Sequence, residues 1–385
     1  MHIVVLNWRD TANPEGGGSE VYIEEIAQRL VARGHIVTLV CAGHDQAPRM
    51  DIRHGVRFIR VGSKLTVYSR ARHLLRSGAL GPVDVVVDTQ NGIPFFAPWA
   101  TSVPTVALVH HVHREQWPVV YDPIRARIGW HIESRWAPFV YRRSAYIVVS
   151  DATRVELTAL GVARESITVV HNGTLPATDT HTPQDPHPRI LVLGRLVPHK
   201  RVEHVLLAAA RLRDRHPHLR VAIVGDGWWA SELRDSAARL GVHDITDFTG
   251  HVDEDEKARQ IARSWVLALP SIKEGWGLVV LEAASAGVPA VAYAEAGGVA
   301  ESVVDGQTGV LVHGDDGDFT AAIESLITHR HQREAMGNHA RAHAALFSWD
   351  ASAERFEAVL AEAMATAASR GARGWIRRRR RAYRR

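Results

Sequence analysis

The apolar residues of this chain fall in short, unbroken aliphatic runs separated by longer segments with helical spacing. Unbroken runs suit strands covered on both faces, whereas half-exposed strands alternate apolar and polar positions. The pattern predicts strands over Ile3–Leu6, Ile36–Cys41, Val83–Val87, Thr105–His110 and Tyr146–Ser150. A second series follows over Ile190–Leu193, Val221–Val224, Ile245–Phe248, Val266–Pro270, Ala290–Tyr293 and Gly309–Val312. Strands alternating with helices imply two parallel, doubly wound α/β sheets. The polar, proline-rich stretch 173–188 reads as a linker between a domain of residues 1–172 and one of residues 189–348. Two such sheets facing each other place a ligand cleft at the carboxyl ends of their strands. Ile124, Ile128, Ile132, Trp136 and Val140 recur every four residues, with Arg125, Arg127, Arg135, Arg142 and Arg143 alongside. This spacing predicts a helix with its apolar stripe on the core; a helix lying in a lipid interface is the alternative.

Composition agrees with a folded, two-domain chain: 385 residues, 46% hydrophobic and 23% charged. No run of about 18 apolar residues predicts a membrane span. The first residues enter a strand directly and do not resemble an export signal. The single cysteine, Cys41, allows neither an internal disulfide nor a cysteine-built metal site. A cytoplasmic protein is the expectation. The net charge of +4 is unevenly placed, because residues 371–385 hold eight arginines and no acid. The rest of the chain carries 38 basic against 42 acidic residues, a net of −4. A mildly acidic body argues against nucleic acid as a partner. The tail Arg373–Arg385, with Trp375, Ile376 and Tyr383 among its arginines, suits either an anionic membrane surface or a solvated end.

The strongest local signal runs from Glu274 to Gly287, after a predicted strand and into a helix that Gly287 and Pro289 close. Gly275 and Gly277 let backbone approach a ligand closely. The amides of residues 277–279, at the positive end of the helix dipole, suit a phosphate. Glu282 lies about 7 Å further along the axis, from roughly 1.5 Å per residue; a ribose contact and a solvated position both fit it. Gly194-Arg195-Leu196-Val197-Pro198-His199-Lys200 follows the first strand of the second half, where Arg195 and Lys200 could reach the same diphosphate. It is not a Walker loop, since no Gly-Lys-Ser/Thr follows.

In the first half, Glu15-Gly16-Gly17-Gly18-Ser19-Glu20 joins strand one to a helix, with Ser19 as the expected N-cap. The dinucleotide pattern Gly-x-Gly-x-x-Gly is absent, which disfavours NAD. His110, His111 and His113 end the fourth strand. Zinc is conceivable there, but no nearby carboxylate or cysteine completes a tetrahedral set, and contacts to sugar hydroxyls suit them better. Asp316 and Asp318 could suggest a metal-bound phosphate; Asp318 is instead expected to cap the helix that follows.

Taken together, these pieces resemble the retaining glycosyltransferases of sequence family 4. The marks are Gly-Gly-Gly-Ser-Glu-Val-Tyr (16–22), His-x-x-His (110–113), His-Asn-Gly (171–173), Gly-Arg-Leu-x-x-x-Lys (194–200), Val-Gly-Asp-Gly (224–227), Phe-Thr-Gly-His-Val (248–252), Glu-x7-Glu (274–282) and Phe-Ser-Trp-Asp (347–350). The resemblance implies the GT-B architecture, two Rossmann-like domains facing a central cleft. A final helix near 351–368 is then expected to return to the N-terminal domain. It further implies that a nucleotide-diphosphate sugar serves as co-substrate, with no metal or other cofactor. Arg195 and Lys200 match the pair on the donor diphosphate, with Gly17, Gly18 and the amides of Gly277 and Leu278 around it. Glu282 matches the ribose-binding carboxylate and Glu274 the one beside the transferred sugar. His113, and after it His110, match the sugar-contacting histidine. The implied reaction moves a hexose to a hydroxyl acceptor, a lipid or cell-envelope glycan precursor being one option. A non-catalytic nucleotide-sugar-binding protein of the same fold is the alternative.

Overall fold

The computed structural model describes residues 1–175 and 181–382, with side chains through Ser369. The N-terminal sheet contains β1 (His2–Leu6), β2 (Ile36–Cys41), β3 (Met50–Arg53), β4 (Val56–Arg60), β5 (Val85–Gln90), β6 (Thr105–Val109), β7 (Ala145–Val148) and β8 (Ile167–Val169), in the order β3-β4-β2-β1-β5-β6-β7-β8. All its pairings are parallel except β3 with β4. The C-terminal sheet contains β9 (Arg189–Leu193), β10 (Arg220–Val224), β11 (Thr246–Gly250), β12 (Val266–Leu269), β13 (Ala290–Tyr293) and β14 (Gly309–Val312). Its order is β11-β10-β9-β12-β13-β14, parallel throughout. The strands that read as unbroken apolar runs, such as Ile3–Leu6 and Val85–Val87, are buried on both faces.

Three strands were not legible as runs. β3 and β4 form a hairpin around His54 and Gly55, both with positive φ (48° and 78°), as a two-residue turn requires. Their residues alternate with arginines, and Arg60 is itself buried, donating through Nε at 2.8 Å to the buried Asp10. β8 is three residues long. β5 runs past its predicted end because Asp88, Thr89 and Gln90 are buried polar residues. The Asp88 carboxylate accepts from the amides of Phe95 and Ala97, both at 2.9 Å, which explains its place in a core strand.

The predicted apolar stripe does not face the core. A helix over Pro123–His131 passes through a π-helical turn, Ile132–Trp136, into Ala137–Val140. Ile124, Ile128 and Trp136 are 71%, 56% and 48% exposed, and of the stripe only Val140 is buried. The buried face is Ala126, Gly129, Glu133 and Ala137. Small residues win that side because the Trp117 ring lies flat on it: a Cβ at Gly129 would stand 2.3 Å from that ring.

The chain crosses between domains twice at one place. The Thr174 amide donates to Phe347 O at 2.9 Å, and a Cβ on Gly173 would meet the Trp349 amide at 2.2 Å. The final helix starts at Trp349 and lays Trp349, Ala353, Phe356 and Leu360 on the N-terminal core, where Tyr22 meets both aromatics. It continues to Ala382, beyond the predicted end at 368. The side chains of the basic tail, on which the membrane expectation for Arg373–Arg385 rests, lie outside the described residues. No helix among the described residues is long and apolar enough to cross a membrane.

If the final helix completes the N-terminal core, Phe356→Ala should cost about 3–5 kcal/mol in urea unfolding. Leu346→Ala, at a 75% exposed position just before that helix, should cost well under about 1 kcal/mol. Equal effects would show that the helix is only loosely attached.

Candidate functional site

Leaving β12, the chain turns through Ser271–Gly277 and starts a helix at Leu278. Gly277 is the N-cap with φ of 83°, a left-handed conformation that a side chain would strain. The helix ends at Ser285, and Gly287, also left-handed, closes it with its amide on Ala284 O at 2.8 Å. Helix geometry leaves the first amides of this turn, those of Leu278 and Val279 included, without acceptors inside the helix. Glu274 stands just ahead of them, its side chain 13% exposed. Its Oε1 accepts from Lys200 Nζ at 2.5 Å and from Ser271 Oγ at 2.7 Å. Burial alone would raise its pKa, but Lys200 and the Ser271 hydroxyl hold it below the ordinary carboxylate range. Lys200, expected on a diphosphate, is therefore engaged with the glutamate. Glu282, half-buried on the same helix, pairs with Lys257 at 2.9 Å and is not simply solvated.

Arg195 follows β9 and lies under the glycine loop of the other domain. A Cβ on Gly17 would sit 3.1 Å from its Nε, and one on Gly18 would be 3.8 Å from Leu278. Burial and the neighbouring Arg9 both lower the Arg195 pKa, although Glu20 opposes them. Gly17, not Ser19, is the N-cap of the helix Gly18–Ala32. The Glu20 carboxylate replaces the expected serine cap by accepting from the Gly17 amide at 2.8 Å, and Ser19 Oγ donates to Glu20 instead. Arg9 is the cation that sequence reasoning missed. It is buried, 3.4 Å from Glu20, at the carboxyl end of β1. Its signal was present: an arginine three residues past a core strand and seven before the first glycine of the loop.

Across the cleft, the end of β6 presents the histidines. His110 is buried, its Nε2 has no hydrogen-bond partner among the described residues, and burial pushes its pKa down to about 4 despite nearby Glu20. His111 shares a 3.2 Å hydrogen bond with Gln116 and packs on His113 at 4.2 Å between ring centroids. His113 Nδ1 lies 2.9 Å from Glu133 Oε1, which also accepts from the His113 amide at 3.1 Å. Trp117 Nε1 donates to the other oxygen of Glu133 at 2.7 Å. Glu133 is fully buried and was not anticipated; it interrupts the apolar helix pattern at the one position where the inner face meets a histidine. With Nδ1 held, His113 has Nε2 left for other contacts. His199 is near enough to Lys200, Glu274 and His113 for each to influence it, and burial pushes its pKa to about 4.

The sequence-predicted residues thus converge at one edge. Glu274, Lys200 and Arg195 stand on one side, Gly17, Gly18, His110 and His113 on the other, with Gly277 and Leu278 between. Glu282 lies further along the helix. Such an edge can receive an anion on Arg195 and the helix amides, and a neutral polyol between Glu274 and the histidines. Asp316 and Asp318 do not join it. Asp315 caps the helix Asp316–Thr328, Asp318 completes the capping box, and Asp316 pairs with Arg211 at 2.6 Å, which corrects the expected Asp318 cap.

Residues 16–177 match the family described as Glycosyltransferase Family 4, and residues 178–343 match that described as Glycosyl transferases group 1. The GDP-mannose-dependent alpha-(1-6)-phosphatidylinositol monomannoside mannosyltransferase of Mycolicibacterium smegmatis is 30% identical over 87% of this chain and 92% of its own. D-inositol 3-phosphate glycosyltransferase 2 of Catenulispora acidiphila is 38% identical, over 43% of this chain and 40% of its own. Among solved structures, sucrose-phosphate synthase from Thermosynechococcus elongatus superposes with a TM-score of 0.79 at 18% identity, covering 95% of this chain and 99% of its own. Anabaena HepE in complex with UDP and glucose gives 0.71 at 20% identity, covering 94% and 100%. The shared fold is the GT-B architecture.

The low pKa of His110 carries a pH signature. An unfolded histidine binds a proton below about 6.5, whereas folded His110 refuses it down to about 4. Stability present above pH 6.5 is therefore lost as pH falls through that window, with about 2 kcal/mol due to His110 by pH 5. His110→Gln should flatten this part of a urea-midpoint profile; an unchanged slope would mean the imidazole is not held neutral.

Proposed function

This chain belongs to glycosyltransferase family 4, and we infer that it moves a hexose from a nucleotide-diphosphate sugar to a hydroxyl acceptor with retention of anomeric configuration. The observation that carries the reading is the Glu274–Lys200 pair, standing at a helix N-terminus with Arg195 and the Gly17–Gly18 loop across from it. The names of similar proteins support the donor class: one relative is called GDP-mannose-dependent, and HepE was solved with UDP and glucose.

In the proposed reaction the bond from the anomeric carbon to the diphosphate oxygen breaks. Positive charge develops on the sugar and negative charge on the departing diphosphate. Arg195 and the amides of Gly277 and Leu278 are oriented to hold that negative charge before it forms, so little reorganisation accompanies the step. Lys200 lies between the diphosphate side and Glu274, and serves both. The acceptor oxygen bonds to the same face of the sugar, and its proton passes to the departing phosphate oxygen. Glu274, kept ionised by Lys200, supports the positive charge on the sugar. Glu282 takes the ribose, with Lys257 setting its orientation. No step assigned to these residues calls for a metal ion.

His113 acts from the opposite wall on a sugar hydroxyl. Glu133 is its positioning residue: accepting from Nδ1 fixes the tautomer and leaves Nε2 toward the cleft. The insertion of one π-helical turn at a residue of this kind is a recurrent feature of functional sites.

Glu274→Gln should lower turnover by about 10²–10³ with little change in nucleotide affinity, as for loss of one preorganised group. Glu282→Ala should instead weaken nucleotide binding by about 1–3 kcal/mol. EDTA should leave most activity intact; abolition with rescue by Mg²⁺ or Mn²⁺ would overturn the metal-free reading. Purified protein that binds nucleotide sugar but neither hydrolyses nor transfers it would favour the non-catalytic alternative.

Glu133→Gln keeps the shape but replaces a charged acceptor by an amide. It should reduce kcat by roughly tenfold to a hundredfold, the loss typical of an outer-shell partner. KM for the donor should change much less than kcat, because the His113 tautomer is disturbed and the donor contacts are not. A variant with lower stability but an unchanged kcat would reduce Glu133 to a structural role.

A further inference from the structure

We propose that the outer face of the segment Trp117–Phe139, joined by Trp99, docks on an anionic lipid surface. The face is anchored on an aromatic junction. Trp99 stacks on Phe96 at 5.0 Å and meets Trp136 edge-on at 6.4 Å, which links the turn after β5 to the π-helical segment. Val119, Val120, Tyr121, Ile124, Ile128 and Phe139 extend it, all between 38% and 71% exposed. Apolar residues scattered singly over a surface need no explanation, but large side chains gathered on one face mark an interaction site.

Charge selects the occupant. Residues 114–143 contain six arginines and three acids, in a body that is otherwise acidic. One of those acids, Glu133, is turned inward and buried on His113. Another, Asp122, caps the helix through the amides of Ile124 and Arg125. The outward surface is thus strongly cationic around an apolar centre. Arg142 lies over Phe139 at 4.5 Å and Arg114 over Trp130 at 5.7 Å, each placing a guanidinium beside an aromatic ring. Isoleucine at the centre with arginine and aromatics around it suits the boundary between acyl chains and anionic headgroups. A second copy of the chain is a poorer occupant, because a two-fold contact would set arginine against arginine.

The placement ties surface to site. The helix that would rest on lipid holds, on its opposite face, the carboxylate that orients His113. An acceptor hydroxyl carried on a lipid would thus be delivered to the histidine side of the cleft. This corollary rests on the transferase reading; docking itself does not.

The test is co-sedimentation of the full chain with vesicles of phosphatidylcholine alone or with about one-third phosphatidylglycerol. The expected result is salt-sensitive binding to the anionic vesicles only. Ile124→Ser/Ile128→Ser/Phe139→Ser should weaken it at least about tenfold, since each removes buried apolar area. Arg127→Glu/Arg135→Glu, which leaves the apolar residues in place, should weaken it similarly. Both variants should keep the wild-type melting temperature and wild-type donor hydrolysis in solution. Sedimentation unchanged by either variant would overturn the proposal, as would light scattering that shows a wild-type dimer converted to monomer by the serine substitutions. Normal hydrolysis with lost vesicle binding supports docking, while hydrolysis absent in the wild type would count against the transferase reading alone.

Discussion

A Cβ on Gly275 would stand 2.4 Å from the carbonyl oxygen of His110, so the loop carrying Glu274 and the strand end carrying the histidines meet backbone to backbone. The rest of the site depends on this approach. Gly298 repeats it one layer back, where a Cβ would lie 1.9 Å from Gly275 O and 3.0 Å from Ser150. Two ionic contacts hold the layers together. Glu301 of the C-terminal domain accepts from the amides of Asp151 and Ala152 at 2.8 and 2.7 Å, capping a helix of the N-terminal domain. Lys273 pairs with Glu156 on that same helix. With the domains fixed in this way, Arg195 comes under Gly17 and reaches the Glu15 carbonyl of the other domain at 3.4 Å.

Electrostatics explain why such a site can stay organised. Glu20 and Glu274 are carboxylates taken out of water, which costs several kcal/mol each unless cations and hydrogen bonds offset it. Each has both: Arg9, Ser19 and the Gly17 amide for Glu20, Lys200 and Ser271 for Glu274. Arg195 is left with the weaker local compensation, since Arg9 repels it and burial penalises its charge. An incoming dianion would relieve that deficit. The fold thus keeps an only partly compensated positive charge where the proposed substrate carries negative charge, consistent with electrostatic preorganisation.

The two-sheet architecture was readable because core parallel strands must be continuously apolar, and the donor side was readable because glycines and cations must occupy fixed places around a phosphate. What escaped was set by three-dimensional contact. β3 and β4 hide behind arginines that are neutralised only when Arg60 and Arg53 reach Asp10, far away in sequence. Ser19 lost its capping role because the next residue supplies a longer acceptor. The stripe Ile124–Trp136 was read on the assumption that large apolar residues face inward. The Trp117 ring inverted the choice: it lies between Gly92 and Gly129, where no side chain fits, and the isoleucines are left outside.

That inversion gives the helix two distinct jobs on its two faces. A helix packed through glycine lies closer to the Trp117 ring than one packed through isoleucine, and that ring donates to the same Glu133 carboxylate that stands 2.9 Å from His113. The π-helical turn adds one residue to the circuit, so Glu133 and Ser134 both point inward while Trp136 turns out to meet Trp99. Restoring an ordinary apolar inner face would move the helix outward and separate the carboxylate from the imidazole. The exposure of the isoleucines and the orientation of the histidine therefore follow from one packing decision, made on the inner face by Gly129 and Trp117.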